Sequence, residues 1–423
     1  MNIKDAFFWT GLQTGIKVLS GIVINKVIAI YLGPAGLAFI GQFQNSVGLL
    51  TSISNGSIQT GVVSNIAKAQ SEKEHVTVRT NAIFIMVLLS ISVSIIVSIL
   101  PKYFNDFLFL SSGYSGYIYL ISLSLIFYAF NIYLISVLNG LGRVKEYAFF
   151  NILLNIIIAI LVSLLTVLYG ISGAISGFVI SQIIFFFLFL FLNRLFTYSL
   201  FRFDFELLNK KVIKNLLSYG CASFLSGLII SMMLIGVRHI IINHIDQVSA
   251  GYWEGGYKIG LYYNMIFTLP ISIYYLPIFS ASKCKGQLNS YILNCIKFCI
   301  MGLLVLGCGI LFFRDYIIKL LFSDDFYFIS DFIFVILLSE AVRTITSIFS
   351  TFLYANRCLK VIIINESMWA AIFISLSYVF IGQFGLKGIL YGYLIACVIQ
   401  LVLVSSAATL KINTLVREKN LCS

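Results

Sequence analysis

Apolar runs long enough to cross a lipid bilayer recur along the whole chain. A spanning helix needs about 20 predominantly apolar residues, and residues 7–32 already form such a run. Of the 423 residues, 60% are hydrophobic and 10% are charged, with a mean hydropathy of +1.00. Soluble globular domains do not have this composition, and no polar stretch is long enough to fold alone. The sequence therefore predicts an all-α polytopic membrane protein.

Turn residues and charges divide the apolar runs into about twelve transmembrane helices. The predicted spans are approximately 7–32, 36–68, 80–100, 117–140, 148–168, 171–193, 215–242, 250–280, 291–313, 331–354, 361–382 and 386–410. Gly33 and Pro34 should end the first span, because proline lacks a backbone donor and glycine permits a tight turn. Pro270 and Pro277 should kink the eighth span for the same reason.

The distribution of lysine and arginine predicts the orientation in the membrane. With the N-terminus in the cytoplasm, 18 of the 28 Lys and Arg residues fall on the cytoplasmic side, 5 on the outer side and 5 inside spans. The net charge of +12 would indicate nucleic-acid binding in a soluble protein, but here it belongs mainly to the cytoplasmic loops. Both termini are therefore expected in the cytoplasm, with an even number of spans and no nucleic-acid partner.

The two halves of the chain repeat the same arrangement. Residues 1–193 would form an N-terminal six-helix lobe, 194–214 a cytoplasmic linker, and 215–423 a C-terminal six-helix lobe. An Ala-Gly pair opens the return helix in each half, at 35–36 and at 250–251. Six spans in each half keep both halves in one orientation, which is a parallel repeat. The cations and aromatic residues of the linker suit a segment lying on the membrane surface.

Several cations inside the predicted spans have no carboxylate within one helical turn of sequence, among them Lys17, Lys26 and Arg238. A cation at mid-membrane depth costs about 3 kcal/mol on insertion scales, so it rarely faces lipid. Lys26 could instead lie near the outer end of its helix and extend to the interface. If these cations line a cavity, a phosphate group would be their natural partner.

Two further cations have a carboxylate on their own helix. Glu254 precedes Lys258 by four residues, and Glu340 precedes Arg343 by three, spacings that place both members on one helix face. Each pair could support helix packing or line a binding cavity, and the sequence leaves both interpretations open. Aromatic residues flank the first pair and could accept sugar rings or form an interfacial belt.

Glycines spaced four residues apart predict close helix packing. Such pairs occur at Gly11/Gly15, Gly173/Gly177, Gly256/Gly260 and Gly388/Gly392. The eight cysteines and three histidines form no pattern of metal ligands or catalytic residues. The sequence therefore predicts no metal site, no cofactor and no catalytic residue.

The N-terminal motif resembles that of a known transporter family. The pattern Trp9-Thr10, Lys17, Lys26 and Gly33-Pro34-Ala35-Gly36-Leu37 looks like that of Wzx-type flippases for O-antigen and related polysaccharide repeat units. These flippases belong to the multidrug/oligosaccharidyl-lipid/polysaccharide exporter superfamily. The motif covers the first two spans, and the number and order of spans extend the resemblance over the whole chain.

The resemblance implies two six-helix lobes around a central cavity. It implies a flippase that moves undecaprenyl-pyrophosphate-linked oligosaccharide from the cytoplasmic to the periplasmic leaflet of the bacterial inner membrane by alternating access. The expected substrate-binding residues are Lys17, Lys26, Arg238, Lys258 and Arg343, with Glu254 and Glu340 in supporting ion pairs. Expected partners are the lipid-linked glycan, membrane lipid and other polysaccharide-assembly proteins. The first lobe has no lone carboxylate in a span, so ion coupling stays open.

Two other functions compete with the flippase. A multidrug exporter of the same fold would prefer an acidic cavity for cationic drugs, whereas the charges inside these spans are mainly positive. A membrane polymerase or ligase acting on lipid-linked glycans would be an enzyme, and such proteins resemble multi-span chains with a long periplasmic loop. Here the predicted outer loops are short. The sequence therefore favours a transporter that is not an enzyme, and it does not identify the glycan.

Overall fold

The computed structural model describes residues 3–109, 115–193, 203–281, 285–356 and 358–420, and every regular element in these ranges is helical. The helices up to the midpoint are α1 (Ile3–Ser54), α2 (Gln59–Lys68), α3 (Glu72–Ile99), α4 (Pro101–Phe109), α5 (Ser115–Gly140) and α6 (Val144–Leu192). The later helices are α7 (Lys210–His244), α8 (Gln247–Pro270), α9 (Leu276–Ala281), α10 (Lys285–Phe312), α11 (Arg314–Leu321), α12 (Ile333–Ala355), α13 (Leu359–Phe384) and α14 (Leu386–Asn420). Short 3₁₀ segments occupy Phe205–Leu207 and Asp324–Asp331.

The two longest helices are each broken by one glycine. Gly33 in α1 has φ 64° and ψ −169°, and Gly170 in α6 has φ 62° and ψ −138°. A residue with a side chain avoids this region of backbone conformation, whereas glycine enters it readily. Gly385 separates α13 from α14 in the same way, with φ 56°. The predicted turn at Gly33 and Pro34 is confirmed, and it divides α1 into two spans.

Twelve spans follow from these breaks. Nine helices in the described ranges are long and apolar enough to cross a membrane, and two of them, of 47 and 49 residues, are divided by Gly33 and Gly170. Each of these two supplies a pair of spans. The helix α8, which carries charged residues and is less apolar, supplies one more. The predicted class, an all-α multi-pass membrane protein with about twelve spans, is confirmed.

The second and eighth spans are less regular than predicted. The prediction of one helix over 36–68 is wrong, because α1 ends at Ser54 and α2 begins at Gln59. Gly56 and Ser57 between them have φ 62° and 49°, which no helix accommodates. The eighth span is interrupted beside its prolines, where a π-helical turn over Ile271–Tyr275 joins α8 to α9.

The chain divides into two compact units, Met1–Ser231 and Met232–Ser423. The division falls inside α7, and residues 194–202 of the predicted linker lie outside the described ranges. The prediction of lobes over 1–193 and 215–423 therefore stays a prediction. Within the first unit, the Phe150 ring packs between Phe185 and Phe189, in an apolar cluster that joins α2, α3, α5, α6 and the start of α7. This cluster fixes the helices of that unit against one another.

Candidate functional site: a charged cluster in the second unit

A helical hairpin places an arginine against a glutamate in the second unit. The helices α7 and α8 meet at a short turn, where Asp246 caps α8 by accepting a hydrogen bond from the Ser249 amide at 2.6 Å. Arg238 Nη2 donates to Glu254 Oε2 across this hairpin at 2.6 Å. Their side chains are 0% and 7% exposed. The pair is therefore a buried, charge-assisted hydrogen bond inside the membrane-spanning region.

A second cation shares the same carboxylate. Lys258 Nζ lies 3.7 Å from Glu254 Oε1. The 2.6 Å contact of Arg238 Nη2 is with the other oxygen, Glu254 Oε2. The Lys258 side chain is 12% exposed. Two positive groups thus surround one negative group, and this part of the site carries a net charge of about +1. Since a buried cation is costly without an anion, the arrangement favours an additional anionic ligand.

A second ion pair lies on α12. Arg343 Nη1 is 3.6 Å from Glu340 Oε1, and the Tyr393 hydroxyl from α14 donates to the same Glu340 oxygen at 2.5 Å. Arg343 Nη1 also donates to the Tyr393 hydroxyl at 2.9 Å. The Glu340 side chain is 2% exposed, whereas that of Arg343 is 26% exposed. Glu340 and Tyr393 therefore hold the Arg343 side chain in place, and part of that side chain stays accessible.

Aromatic rings connect the two ion pairs. The Arg343 guanidinium lies 4.7 Å from the centre of the Trp369 ring, within the range of a cation–π contact. Trp253 stacks on Tyr257 with 5.9 Å between ring centres and meets Tyr393 edge-on at 5.7 Å. The Phe373 ring lies 5.7 Å from Trp253 and 5.0 Å from Tyr393 between ring centres. The charged residues and rings of five helices, α7, α8, α12, α13 and α14, thus form one cluster, which we call the charged cluster.

Glycines on α8 allow α12 to approach closely. A methyl group added at Gly260 would lie 2.8 Å from Glu340 Cγ, and one added at Gly256 would lie 2.5 Å from Ile336 Cδ1. Side-chain carbons do not approach this closely. The close packing predicted for this glycine pair is therefore confirmed, and it places Glu340 beside α8. By contrast, nothing lies within 4 Å of a methyl group added at Gly11 or Gly15.

The structure shows a partner for Arg238 on a neighbouring helix. Arg238 has no carboxylate within one helical turn of sequence, and Glu254 of α8 pairs with it. Both predicted ion pairs, Glu254 with Lys258 and Glu340 with Arg343, are confirmed. Both pairs could be predicted because their members lie on one helix, three or four residues apart.

The two N-terminal lysines belong to the first unit. Lys17 is exposed and Lys26 is half-buried, both on the first half of α1. The nearby Gln13 Oε1 is buried without a hydrogen-bond partner. Substrate binding by Lys17 and Lys26 stays a prediction.

Sequence reasoning missed Tyr393 and Trp369, although both touch Arg343. Tyr393 directly follows Gly392, whose added methyl group would lie 3.2 Å from Leu376 Cβ of α13. The signal in the sequence was a tyrosine directly after a glycine of a predicted close helix contact. A tyrosine buried there needs a polar partner for its hydroxyl. In the described ranges no group of His, Cys, Asp and Glu side chains is placed to hold a metal ion.

The comparisons with known proteins agree with this architecture. The family model described as polysaccharide biosynthesis protein matches residues 3–283. This chain belongs to the polysaccharide biosynthesis protein family. The match covers well over half of the chain and includes Arg238, Glu254 and Lys258 of the charged cluster.

Two characterised relatives of this family member are flippases. The Lipid III flippase of Escherichia coli (strain K12) is 19% identical over 370 residues, covering 86% of this chain and 88% of the relative. The Lipid III flippase of Shigella flexneri matches with the same identity and coverage. Together with the family, these relatives indicate a transporter and not an enzyme.

Solved structures establish the fold of this family member. An inward-facing multidrug resistance MATE family transporter of the MOP superfamily matches with a TM-score of 0.75 at 17% identity, covering 96% of each chain. A MOP superfamily transporter from Pyrococcus furiosus Vc1, whose binding pocket is described as having reverse polarity, matches with a TM-score of 0.70 at 15% identity, covering 98% of this chain and 97% of that one. These findings confirm the resemblance found in the sequence, because the chain belongs to the polysaccharide biosynthesis protein family and has the fold of MOP superfamily transporters.

Proposed function

We propose that this protein is a flippase for a lipid-linked oligosaccharide carried on undecaprenyl pyrophosphate. The observation that carries the proposal is the sharing of one carboxylate, Glu254, by two cations, the buried Arg238 and the partly exposed Lys258. Such a site has one more positive than negative charge, so it can bind an anion. A pyrophosphate is the anion that a lipid-linked glycan presents. The family match and the flippase relatives support the same substrate class.

The proposal assigns different roles to the predicted site residues. Lys258 and Arg343 contact the pyrophosphate, because their side chains are partly exposed at 12% and 26%. Arg238 is fully buried against Glu254, so it holds the carboxylate and contributes to the field without leaving its partner. Lys17 and Lys26 of the first unit guide the phosphates during transfer. The glutamates keep the cations in place when no substrate is bound.

The proposal includes location and direction. The protein spans the bacterial inner membrane with both termini in the cytoplasm, as the lysine and arginine distribution predicts. It moves the glycan from the cytoplasmic to the periplasmic leaflet by alternating access. The substrate is an O-antigen or a related polysaccharide repeat unit, and the proteins that extend or ligate the glycan are its partners in the membrane.

A complementation assay tests this function. The chain is expressed in bacteria that lack their own flippase for lipid-linked repeat units, and surface polysaccharide is measured. Wild-type protein should restore it, and Lys17→Ala should abolish it at normal protein level while Lys17→Arg keeps part of it. Failure of wild-type protein with several repeat units, in cells that still make the lipid-linked precursor, argues against the proposal.

The alternative is a multidrug exporter, which the fold of the MATE neighbours accommodates. A cluster with three cations and two carboxylates repels cationic drugs. Drug-susceptibility tests on the same strains separate the two functions, since an exporter would raise resistance without restoring polysaccharide.

A further inference from the structure

The first unit contains a cavity of about 430 Å³ between the second half of α1, α5 and α6. This volume lies within the range of about 300–1,000 Å³ that sites for small molecules occupy. It is much larger than a single water needs, about 30 Å³ in the liquid. The cavity is far from the charged cluster in sequence and belongs to the other unit.

The cavity surface is mainly apolar, but many of its lining residues carry a polar group and none carries a charge. More than half of the lining residues have an amide or hydroxyl group, and none has a charged side chain. Phe43 and Phe178 add two ring faces, whose centres are 5.9 Å apart. The polar lining residues include Gln44, Thr51, Asn55, Tyr128, Asn131 and Gln182. Neutral hydrogen-bonding groups beside aromatic faces match a sugar, whose hydroxyls both donate and accept and whose C–H face packs on rings.

One buried acceptor in the lining lacks a partner. Asn131 is 1% exposed, and its amide nitrogen donates to the Gln182 backbone oxygen at 2.9 Å and to Gln182 Oε1 at 3.1 Å. Asn131 Oδ1 is buried without a hydrogen-bond partner. Buried amide oxygens are normally satisfied. Because Asn131 lines the cavity, a small turn of its side chain would bring this oxygen within reach of a ligand hydroxyl.

The interrupted second span also supplies polar groups to the cavity. Asn55 and Ser57 in the turn after α1 line it, and the Asn55 side chain accepts a hydrogen bond from the Ser57 amide at 2.6 Å. Irregular backbone at membrane depth is tolerated where it is buried or lines a cavity. The segment from Pro34 to Ser54 is about 30 Å long, so the turn lies near the end of the unit that the orientation assigns to the cytoplasm.

We infer that this cavity binds the sugar part of the lipid-linked glycan. The inference rests on the proposed function and extends it, because it separates recognition of the sugars in the first unit from binding of the pyrophosphate by the charged cluster. The glycan then contributes to affinity through neutral hydrogen bonds, and the choice of side chains in the cavity selects which repeat unit is carried.

Binding of two probes to the purified full chain tests the inference. The probes are undecaprenyl-pyrophosphate-linked oligosaccharide and sugar-free undecaprenyl pyrophosphate. Asn131→Leu and Gln182→Leu should each weaken binding of the glycan-bearing lipid about three- to tenfold, as expected for loss of neutral hydrogen bonds, and leave binding of the sugar-free lipid unchanged. Asn365→Leu is the matched control, because Asn365 is a buried asparagine of the second unit whose amide donates to its own helix at Val361.

The inference is overturned if the wild type and both variants bind the glycan-bearing lipid with equal affinity. It is also overturned if the variants lose affinity equally for both lipids. Absence of glycan-lipid binding and transport by the wild type overturns the proposed function instead, so the two failures are distinguishable. A measurement on the unmodified protein avoids any folding defect of the variants. A photoreactive group on the terminal sugar should label peptides from 43–59, 128–135 or 178–182, and labelling confined to α7, α8 and α12 contradicts the inference.

Discussion

Arg238 and Glu254 meet across the α7–α8 hairpin at 2.6 Å, and neither side chain is more than 7% exposed. Asp246 in the connecting turn lies midway between them in sequence, so the two residues reach the same depth of the hairpin. Lys258 lies one turn further along α8, next to the other oxygen of the same carboxylate. Arg238 and Lys258 therefore share the single carboxylate of Glu254.

Removing the shared carboxylate should destabilise the protein. In Glu254→Gln both Arg238 and Lys258 lose their anion, and an uncompensated buried charge costs about 3–5 kcal/mol. The thermal unfolding temperature in detergent should fall accordingly. Replacing the hydrogen-bonded pair together, as in Arg238→Met with Glu254→Gln, leaves fewer buried charges and should recover part of this loss. A double variant less stable than Glu254→Gln would show that Arg238 does not depend on Glu254.

Removing Lys258 should affect transport more than stability. Lys258→Met leaves the Arg238–Glu254 pair intact and removes the extra charge, so the unfolding temperature should stay or rise. Transport of the lipid-linked glycan should fall about tenfold or more, the effect of losing a charged hydrogen bond, and Lys258→Arg should retain part of it. Lys297→Met is the control, because Lys297 is exposed on α10. Normal transport by Lys258→Met would remove Lys258 from the site.

The glycine contact between α8 and α12 should be sensitive to one methyl group. Gly260→Ala places a carbon 2.8 Å from Glu340 Cγ, and overpacking of this kind costs about 1–3 kcal/mol. The unfolding temperature and transport should both decrease. Gly309→Ala on α10 meets no atom within 4 Å and should be neutral or stabilising. Equal behaviour of the two variants would contradict the close packing of Glu340 on α8.

The orientation prediction can be tested with reporter fusions. Fusions placed after Lys214 and after Lys419 should both report the cytoplasm, because lysine and arginine are concentrated on that side. A periplasmic signal at either position would contradict an even number of spans with cytoplasmic termini.

The sequence predicted features that depend on composition and on neighbours within one helix. The spans, the break at Gly33 and the Glu340–Arg343 pair all follow from apolar length, glycine chemistry and helical spacing. The Arg238–Glu254 pair, whose members are 16 residues apart in sequence, was missed. The spacing of residues within one helix does not show how the two helices of a hairpin align. Counting outward from the turn at Asp246 would have found it.

Features that depend on packing between helices far apart in the chain could not be predicted from the sequence. Tyr393 reaches Arg343 from 50 residues away, and no periodicity predicts which face of α14 meets α12. The break after Ser54 was missed for a different reason, since residues 36–68 are apolar enough to read as one helix. The turn is stabilised by the Asn55 side chain, a local bond that competes with helix formation.

Leaflet-to-leaflet transfer in proteoliposomes tests the central claim most directly. Lipid-linked oligosaccharide is incorporated with the purified protein, and a soluble glycan-modifying reagent that does not cross the bilayer reports the fraction in the outer leaflet. Wild-type protein should make the inner-leaflet pool accessible, Lys258→Met should do so about tenfold more slowly or less, and protein-free vesicles should leave it protected. Equal protection with wild-type protein and without protein, when the wild type is folded and binds the lipid, would contradict the account.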